Sequence, residues 1–295
     1  MALKTINIIG CGQGAGSLAR LWLQANSVEI GAILNRSIES STRAVRIVGA
    51  GRAVKDVSDM SPADYWLIGA NDGELQKLAG EIAHKQPGLE GAMVFHLAGR
   101  FGLDVLGPLA GSGAQLAALH PVRSLTDAQI TIDDFAGTAC VAEGSEQSLA
   151  LLKPLITSIG GVWLPVSAID RGLYHASVSI VSNITKSVAW KAQKWQQKAG
   201  LPAETAEAVT HQLLQSTMED LNRAGARQTI TGPVVRGDTS TVEAHMEAIR
   251  NSHPEDIDVY RVLARTVFEL AQERGDLDEE TLKRFMELFR KRNLF

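Results

Sequence analysis

The sequence predicts an α/β chain, with a doubly wound, mostly parallel sheet over residues 1–166 followed by an all-helical domain over residues 167–295. Three observations predict it. From Lys4 to about Pro165, short apolar runs alternate with helical segments, the pattern of a parallel sheet covered on both faces. The first apolar run leads directly into a glycine-rich turn and then a helix. Beyond Ala168 the apolar residues recur at helical spacing to the end of the chain.

The first strand, Ile6-Asn7-Ile8-Ile9, runs into Gly10-Cys11-Gly12-Gln13-Gly14-Ala15-Gly16, and Leu18, Leu21 and Trp22 then follow at helical spacing. Gly10 permits the tight turn, Gly12 lets the backbone approach a pyrophosphate, and small Ala15 fills the third position of G-x-G-x-x-G/A, where helix and strand pack closely. The start of the helix offers free N–H groups and its positive end to phosphates. The segment Gly10, Cys11, Gly12, Gln13, Gly14 and Ala15 is therefore the expected dinucleotide site of a Rossmann-type fold. A second strand, Val28 to Leu34, delivers Asn35-Arg36-Ser37 about twenty residues past the glycines, where the ribose-reading residue belongs. No acid stands there. Arg36 can pair with a 2′-phosphate and stack on adenine, and Ser37 adds a hydroxyl, so NADP(H) is expected over NAD(H); the alternative for Arg36 is a solvated loop cation. Residues 64–70, 91–96, 114–119, 137–142 and 161–164 read as later strands, the last two around a helix near 146–159. Ala70 and Asn71, leaving the 64–70 strand, complete the expected cofactor set.

At 295 residues, with 45% apolar and 21% charged residues, the composition is that of a globular chain with room for two domains. A net charge of -4 without a long basic run argues against a nucleic-acid partner. The basic end, Arg284, Arg290, Lys291 and Arg292, is interleaved with Leu288 and Phe289 as in an amphipathic helix. No signal peptide is expected, and the longest apolar segment, 176–190, is too interrupted by Ser177, Ser179, Ser182, Asn183 and Lys186 to span a membrane. Two cysteines, Cys11 and Cys140, suit neither a disulfide framework nor a metal site, which points to the cytoplasm. Cys11 is read as a small side chain beneath the cofactor, with a reactive thiolate at the helix N-terminus as the alternative.

His120-Pro121 follows the 114–119 strand, which places the imidazole at the sheet edge where ligands bind; it can exchange the proton that accompanies hydride transfer or cap the strand structurally. His96 is a second candidate. Ser179, Asn183 and Lys186 fall at i, i+4 and i+7, on one helix face, and a buried Asn183 amide needs a substrate or structural partner. His120, Asn183 and Lys186 form the expected catalytic set. Arg236, in Thr231-Gly232-Pro233-Val234-Val235-Arg236-Gly237-Asp238-Thr239, can grip a substrate carboxylate or pair with Asp238; Arg236, Asp238 and Ser179 form the expected substrate set. Ser240 with Glu243 is the expected cap of the following helix, and Asp276 with Glu279 that of the last. Stripes at Val209, Leu213, Thr217 and Leu221, at Tyr260, Leu263, Val267 and Leu270, and at Leu282, Phe285, Met286 and Phe289 exceed what one helical domain buries, so a homodimer through that domain is expected.

Taken in order, the glycine turn, His120-Pro121, Ser182-Asn183 and Thr231-Gly232-Pro233-x-x-Arg236-Gly237-Asp238 resemble the family that joins a Rossmann-like domain to the domain of unknown function numbered 2520. The resemblance covers nearly the whole chain. It implies an NADP oxidoreductase, related to the deazaflavin-dependent NADP oxidoreductases and, in some members, acting as a ketopantoate reductase. The wider superfamily of 6-phosphogluconate and β-hydroxyacid dehydrogenases carries a Lys four residues before the matching Asn, where this chain has Ser179, so Lys186 would have to substitute from another turn. Prephenate dehydrogenases are similar at His120-Pro121, where their histidine serves hydride transfer. The expected function is therefore NADPH-dependent reduction of a small 2-oxo acid, with a small carboxylate as the only partner besides a second copy of the chain. The alternatives are a prephenate-type oxidation and a non-catalytic NADP(H)-binding redox sensor.

Overall fold

The computed structural model describes residues 2–125 and 130–290, so Lys291 and Arg292 of the basic end lie outside the described residues. The chain divides into two compact units, residues 1–182 and 183–295. This division lies beyond the expected boundary at 166/167, because Arg171 and Tyr174 of the first helix after the sheet bond to the strand residues Glu143 and His120.

The first unit is built on one eight-stranded sheet: β1 (Lys4–Ile9), β2 (Val28–Leu34), β3 (Arg52–Val54), β4 (Tyr65–Ile68), β5 (Met93–His96), β6 (Gln115–Pro121), β7 (Ala139–Gly144) and β8 (Val162–Val166). Their order is β3-β2-β1-β4-β5-β6-β7-β8, and every neighbouring pair is parallel except β6 with β7. The strand β3 was not anticipated; three residues are too few for a periodicity signal. Helices α1 (Gln13–Gln24), α2 (Ile38–Val48), α3 (Leu75–Lys85), α4 (Ile132–Phe135), α5 (Glu146–Thr157) and α6 (Arg171–Ser179) complete the unit.

Strand alternation divides the core between the two faces of the sheet. Ile6 and Ile8 of β1 join Leu18, Leu21 and Trp22 of α1 and Leu155 and Ile156 of α5 on one face. Ile9 joins Trp66, Ile68 and the α3 residues Leu75, Ala79 and Ile82 on the other. Asn7 is a buried polar exception with both amide ends satisfied: Oδ1 accepts from the Ala32 N–H at 2.8 Å and Nδ2 donates to the Ser61 carbonyl at 2.8 Å.

The second unit contains α7 (Thr185–Lys198), α8 (Ala203–Thr229), α9 (Thr239–Ser252), α10 (Ile257–Arg274) and α11 (Glu279–Leu288). Gly225, at φ 74° and ψ 166°, breaks α8 near its end. Its core joins Val234, Val242, Met246 and Ala264 to Phe268, Phe285 and Phe289, and the last two rings stack at 5.6 Å. Both expected caps are corrected. Asp238, not Ser240, caps α9 by accepting from the Thr241 N–H, and Asp278, not Asp276, caps α11 by accepting from the Thr281 N–H. In each case an aspartate carboxylate three residues before the accepted N–H reaches the first turn directly.

Trp22 is fully buried, donates from Nε1 to the Leu155 carbonyl at 2.9 Å and meets Phe95 edge-on. Trp22→Ala is expected to remove about 3–5 kcal/mol of stability, as large-to-small core changes do. Urea unfolding followed by fluorescence and circular dichroism checks this, and a loss under about 1 kcal/mol would contradict the packing described.

Candidate functional site

Between β1 and β4 the strand order reverses, and in open α/β sheets the crevice at that point takes the ligand. Gly10 leaves β1 at φ 82°, and a Cβ on it would lie 2.4 Å from the Ala70 nitrogen. A side chain on Gly69 would meet the Ala15 Cβ at 2.5 Å, so the small residue at 15 lets α1 close onto the end of β4. Gly12 is the N-cap of α1 and supplies no side-chain cap, and a Cβ there would meet nothing within 4 Å. The helix therefore presents the first-turn backbone of Gln13, Gly14 and Ala15 uncapped beside open space, the arrangement that holds a phosphate.

A cavity of about 550 Å³ lies over this turn, bounded by Gly10, Gly12 and Ala70 on one side and by Arg36, Ser40 and Lys55 on another. Cys11 and Asn71 also line it. Burial pushes the Cys11 thiol up to about 12, which removes the thiolate alternative. Asn35 lines the cavity but is occupied otherwise than expected. Its Oδ1 accepts from the Cys11 N–H at 2.7 Å, and its Nδ2 donates to the Ser40 carbonyl at 3.1 Å and more weakly to the Cys11 carbonyl, so it braces the glycine turn against the start of α2. Ser37 is the N-cap of α2, bonded reciprocally with Ser40. Arg36 and Lys55 are exposed, and among the described residues neither is in an ion pair within 4.0 Å. The acids of the cavity are partnered: Asp56 by Lys85 at 2.6 Å, which holds its carboxyl well below the usual range, and Glu74 and Glu81 by Lys77. The charge left without a partner is therefore positive, which fits an adenosine 2′-phosphate. Sequence reasoning missed Lys55, which comes from the short β3 end.

His120 closes β6 on the same edge, two strands beyond β4, roughly 10 Å along the sheet. Its Nδ1 shares a hydrogen bond of 2.8 Å with the Tyr174 hydroxyl, and the His175 ring stands 6.0 Å away. Desolvation foremost, with electrostatic interactions with His175 and Arg171, lowers its pKa to about 4. The ring is therefore neutral at pH 7. His96 is structural: its Nε2 bonds the Gly102 carbonyl at 2.9 Å, its Nδ1 accepts from the Ala98 N–H at 3.1 Å, and burial lowers its pKa. Behind Tyr174 lies an ion pair that sequence reasoning did not find, Arg171 Nε to Glu143 Oε2 at 2.7 Å, with both residues buried. The antiparallel register sets Glu143 opposite Ala118, on the face that carries His120. A buried cation after an acidic strand end was the available signal.

A π-helical turn, Ile180–Ile184, separates α6 from α7. Its wider winding breaks the i, i+4, i+7 face expected of Ser179, Asn183 and Lys186, and Asn183 is exposed rather than buried. Arg236 is exposed and in no ion pair within 4.0 Å among the described residues, Asp238 included. Asp238 caps α9, accepting from the Thr241 N–H and from the Ser240 and Thr241 hydroxyls. No group of three or more potential metal ligands occurs among the described residues, and no helix is long and apolar enough to cross a membrane.

The low pKa of His120 has a measurable consequence. The unfolded imidazole takes a proton near pH 6.5 and the folded one only near 4, so stability falls as pH drops below 6.5. NMR titration, with His120→Asn to assign the resonance, should find the His120 ring neutral down to about pH 5; a midpoint between 6 and 7 would contradict the burial described.

The comparisons with known proteins agree with this architecture. Residues 2–121 match the model of a Rossmann-like domain, and residues 138–267 match that of a domain of unknown function, DUF2520. No curated protein matches the chain. Among solved structures, a Bacteroides fragilis protein assigned as an NADP oxidoreductase is 21% identical, covering 90% of this chain and 98% of its own at a TM-score of 0.71. An imine reductase from Myxococcus stipitatus, in complex with NADP+, is 15% identical over 96% of this chain and 99% of its own, TM-score 0.63. A pyrroline-5-carboxylate reductase from Coxiella burnetii is 16% identical over 92% and 98%, TM-score 0.59. At these identities the structures establish the shared fold. The chain belongs to the proteins that join a Rossmann-like domain to a DUF2520 domain.

Proposed function

We propose that the chain is an NADP(H)-dependent reductase that delivers hydride to a small 2-oxo acid of the ketopantoate type. The observation that carries this reading is the cavity at the strand-order reversal, with a glycine turn and uncapped helix start on one side and two unpaired cations, Arg36 and Lys55, on the other. Gly10, Gly12 and the first turn of α1 hold the pyrophosphate, and Arg36 with Lys55 hold the 2′-phosphate. Bound NADPH supplies the hydride. His120, on the same edge, belongs to the proton-handling side of the reaction. From the helical unit, the exposed Arg236 guanidinium has the chemistry to hold a carboxylate, and Asn183 and Lys186 that to orient a carbonyl. The solved imine reductase bound to NADP+ and the pyrroline-5-carboxylate reductase share this fold, so cyclic imines belong beside 2-oxo acids in the substrate screen.

We also propose a homodimer through the helical unit. Val209, Leu213 and Leu221 leave an apolar stripe of α8 uncovered, with Leu213 58% exposed. Sedimentation should give twice the chain mass, and Leu213→Glu should shift it toward the monomer; a wild-type monomer at micromolar concentration would refute the dimer.

Calorimetry with NADPH and NADH tests the cofactor reading. Removing either cation, in Arg36→Ala or Lys55→Ala, should weaken NADPH by roughly 10-fold to 100-fold, as loss of a charge-assisted bond of about 1.5–3 kcal/mol requires, and NADH by less than about 3-fold. Equal losses for both coenzymes would overturn the 2′-phosphate assignment.

A further inference from the structure

We propose that Tyr174 is the proton-donating residue of the reaction, backed by the buried Arg171–Glu143 pair and recharged through His120. This rests on the reductase reading above and deepens it. Hydride addition to a carbonyl leaves an alkoxide, so one protein group on the sheet edge has to give up a proton. Among the groups gathered there, His96 has both ring nitrogens engaged, and His120 holds no extra proton at neutral pH. The Tyr174 hydroxyl is half-buried, 2.8 Å from His120 Nδ1, and carries its proton at pH 7.

Arg171 explains how a phenol gives that proton up. Only Nε of its guanidinium is engaged, by Glu143 at 2.7 Å; Nη1 and Nη2 are buried with no hydrogen-bond partner, and the group lies 5.8 Å from the centre of the Tyr174 ring. A buried cation with donors left over favours a negative charge on its neighbour, here the phenolate that forms as the proton leaves. Glu143 fixes the guanidinium in place, so the stabilisation needs no rearrangement at the moment of transfer.

The proton balance closes through His120. The hydride passes from the nicotinamide to the substrate carbon while the Tyr174 O–H bond breaks and its proton bonds to the substrate heteroatom. His120 then passes the proton on Nδ1 to the phenolate and takes another at Nε2 from water, whose hydroxide the solvent neutralises; proton exchange with solvent restores the Nδ1–H tautomer before the next turnover. Gly99 keeps this second nitrogen clear: a Cβ there would lie 2.8 Å from His120 Nε2 and 2.7 Å from His175 Cδ2.

The experiment measures NADPH oxidation by wild type and Tyr174→Phe with ketopantoate, further 2-oxo acids and 1-pyrroline carboxylates, with NADPH affinity by calorimetry and folding by circular dichroism. The expected result is a kcat at least about 100-fold lower in Tyr174→Phe, with NADPH affinity and KM within about 3-fold of wild type. A folded variant losing less than that overturns the assignment to Tyr174 while leaving the reductase reading standing. Absence of NADPH binding or of any turnover in the wild type overturns the reductase reading itself, and the Tyr174 assignment with it. Gly99→Ala, which crowds both imidazoles from outside the proton path, should lower kcat and leave NADPH affinity unchanged; full activity would contradict the relay through Nε2.

Discussion

The close approach of two backbones at the strand-order reversal is the constraint on which the rest of the first unit depends. Gly10 turns out of β1 against Ala70, and Ala15 seats α1 on Gly69, at distances that leave no room for a side chain on either glycine. Because these segments meet without side chains between them, the start of α1 lies open beside the cavity. Asn35 then holds the turn in shape from the end of β2 through the Cys11 N–H.

Charge in the cavity follows from which side chains are already partnered. Asp56, Glu74 and Glu81 bring three carboxylates to its wall; Lys85 pairs with Asp56, and Lys77 is shared between Glu74 and Glu81. Arg36 and Lys55 remain. The wall carries three basic and three acidic side chains, and the pairing is what leaves Arg36 and Lys55 without a carboxylate within 4.0 Å among the described residues.

Burial exerts a comparable control at the end of β6. An imidazole at neutral pH is ordinarily poised to gain or lose a proton. Here desolvation, with the nearby Arg171 cation, lowers the pKa of His120 and holds the ring neutral beside the Tyr174 hydroxyl. The antiparallel pairing of β6 with β7 is what sets Glu143 on the same face as His120, and α6 brings Arg171 and Tyr174 across to meet them.

Much of this was legible in the order of residues. Strand, glycine turn and helix are local features, governed by neighbours within a few positions, so the dinucleotide site, the parallel sheet and the change to helices after Ala168 could be read directly from the amino acids. The absence of an acid after β2 was equally local. The features that were not read depended on local capping bonds, on partners distant in the chain, or on winding that propensity does not encode. Ser37 and Asp238 became helix caps, Asn35 became a brace, and a π turn moved Lys186 off the face of Ser179. Lys55 entered the cofactor cavity from a three-residue strand, and Arg171 found Glu143 across 28 positions. Residue types and spacing by themselves determined the fold class and pointed to the glycine turn as the candidate nucleotide site. Tertiary structure alone decided which side chains are free to act, because hydrogen-bond capacity and protonation depend on what the folded chain packs against each group.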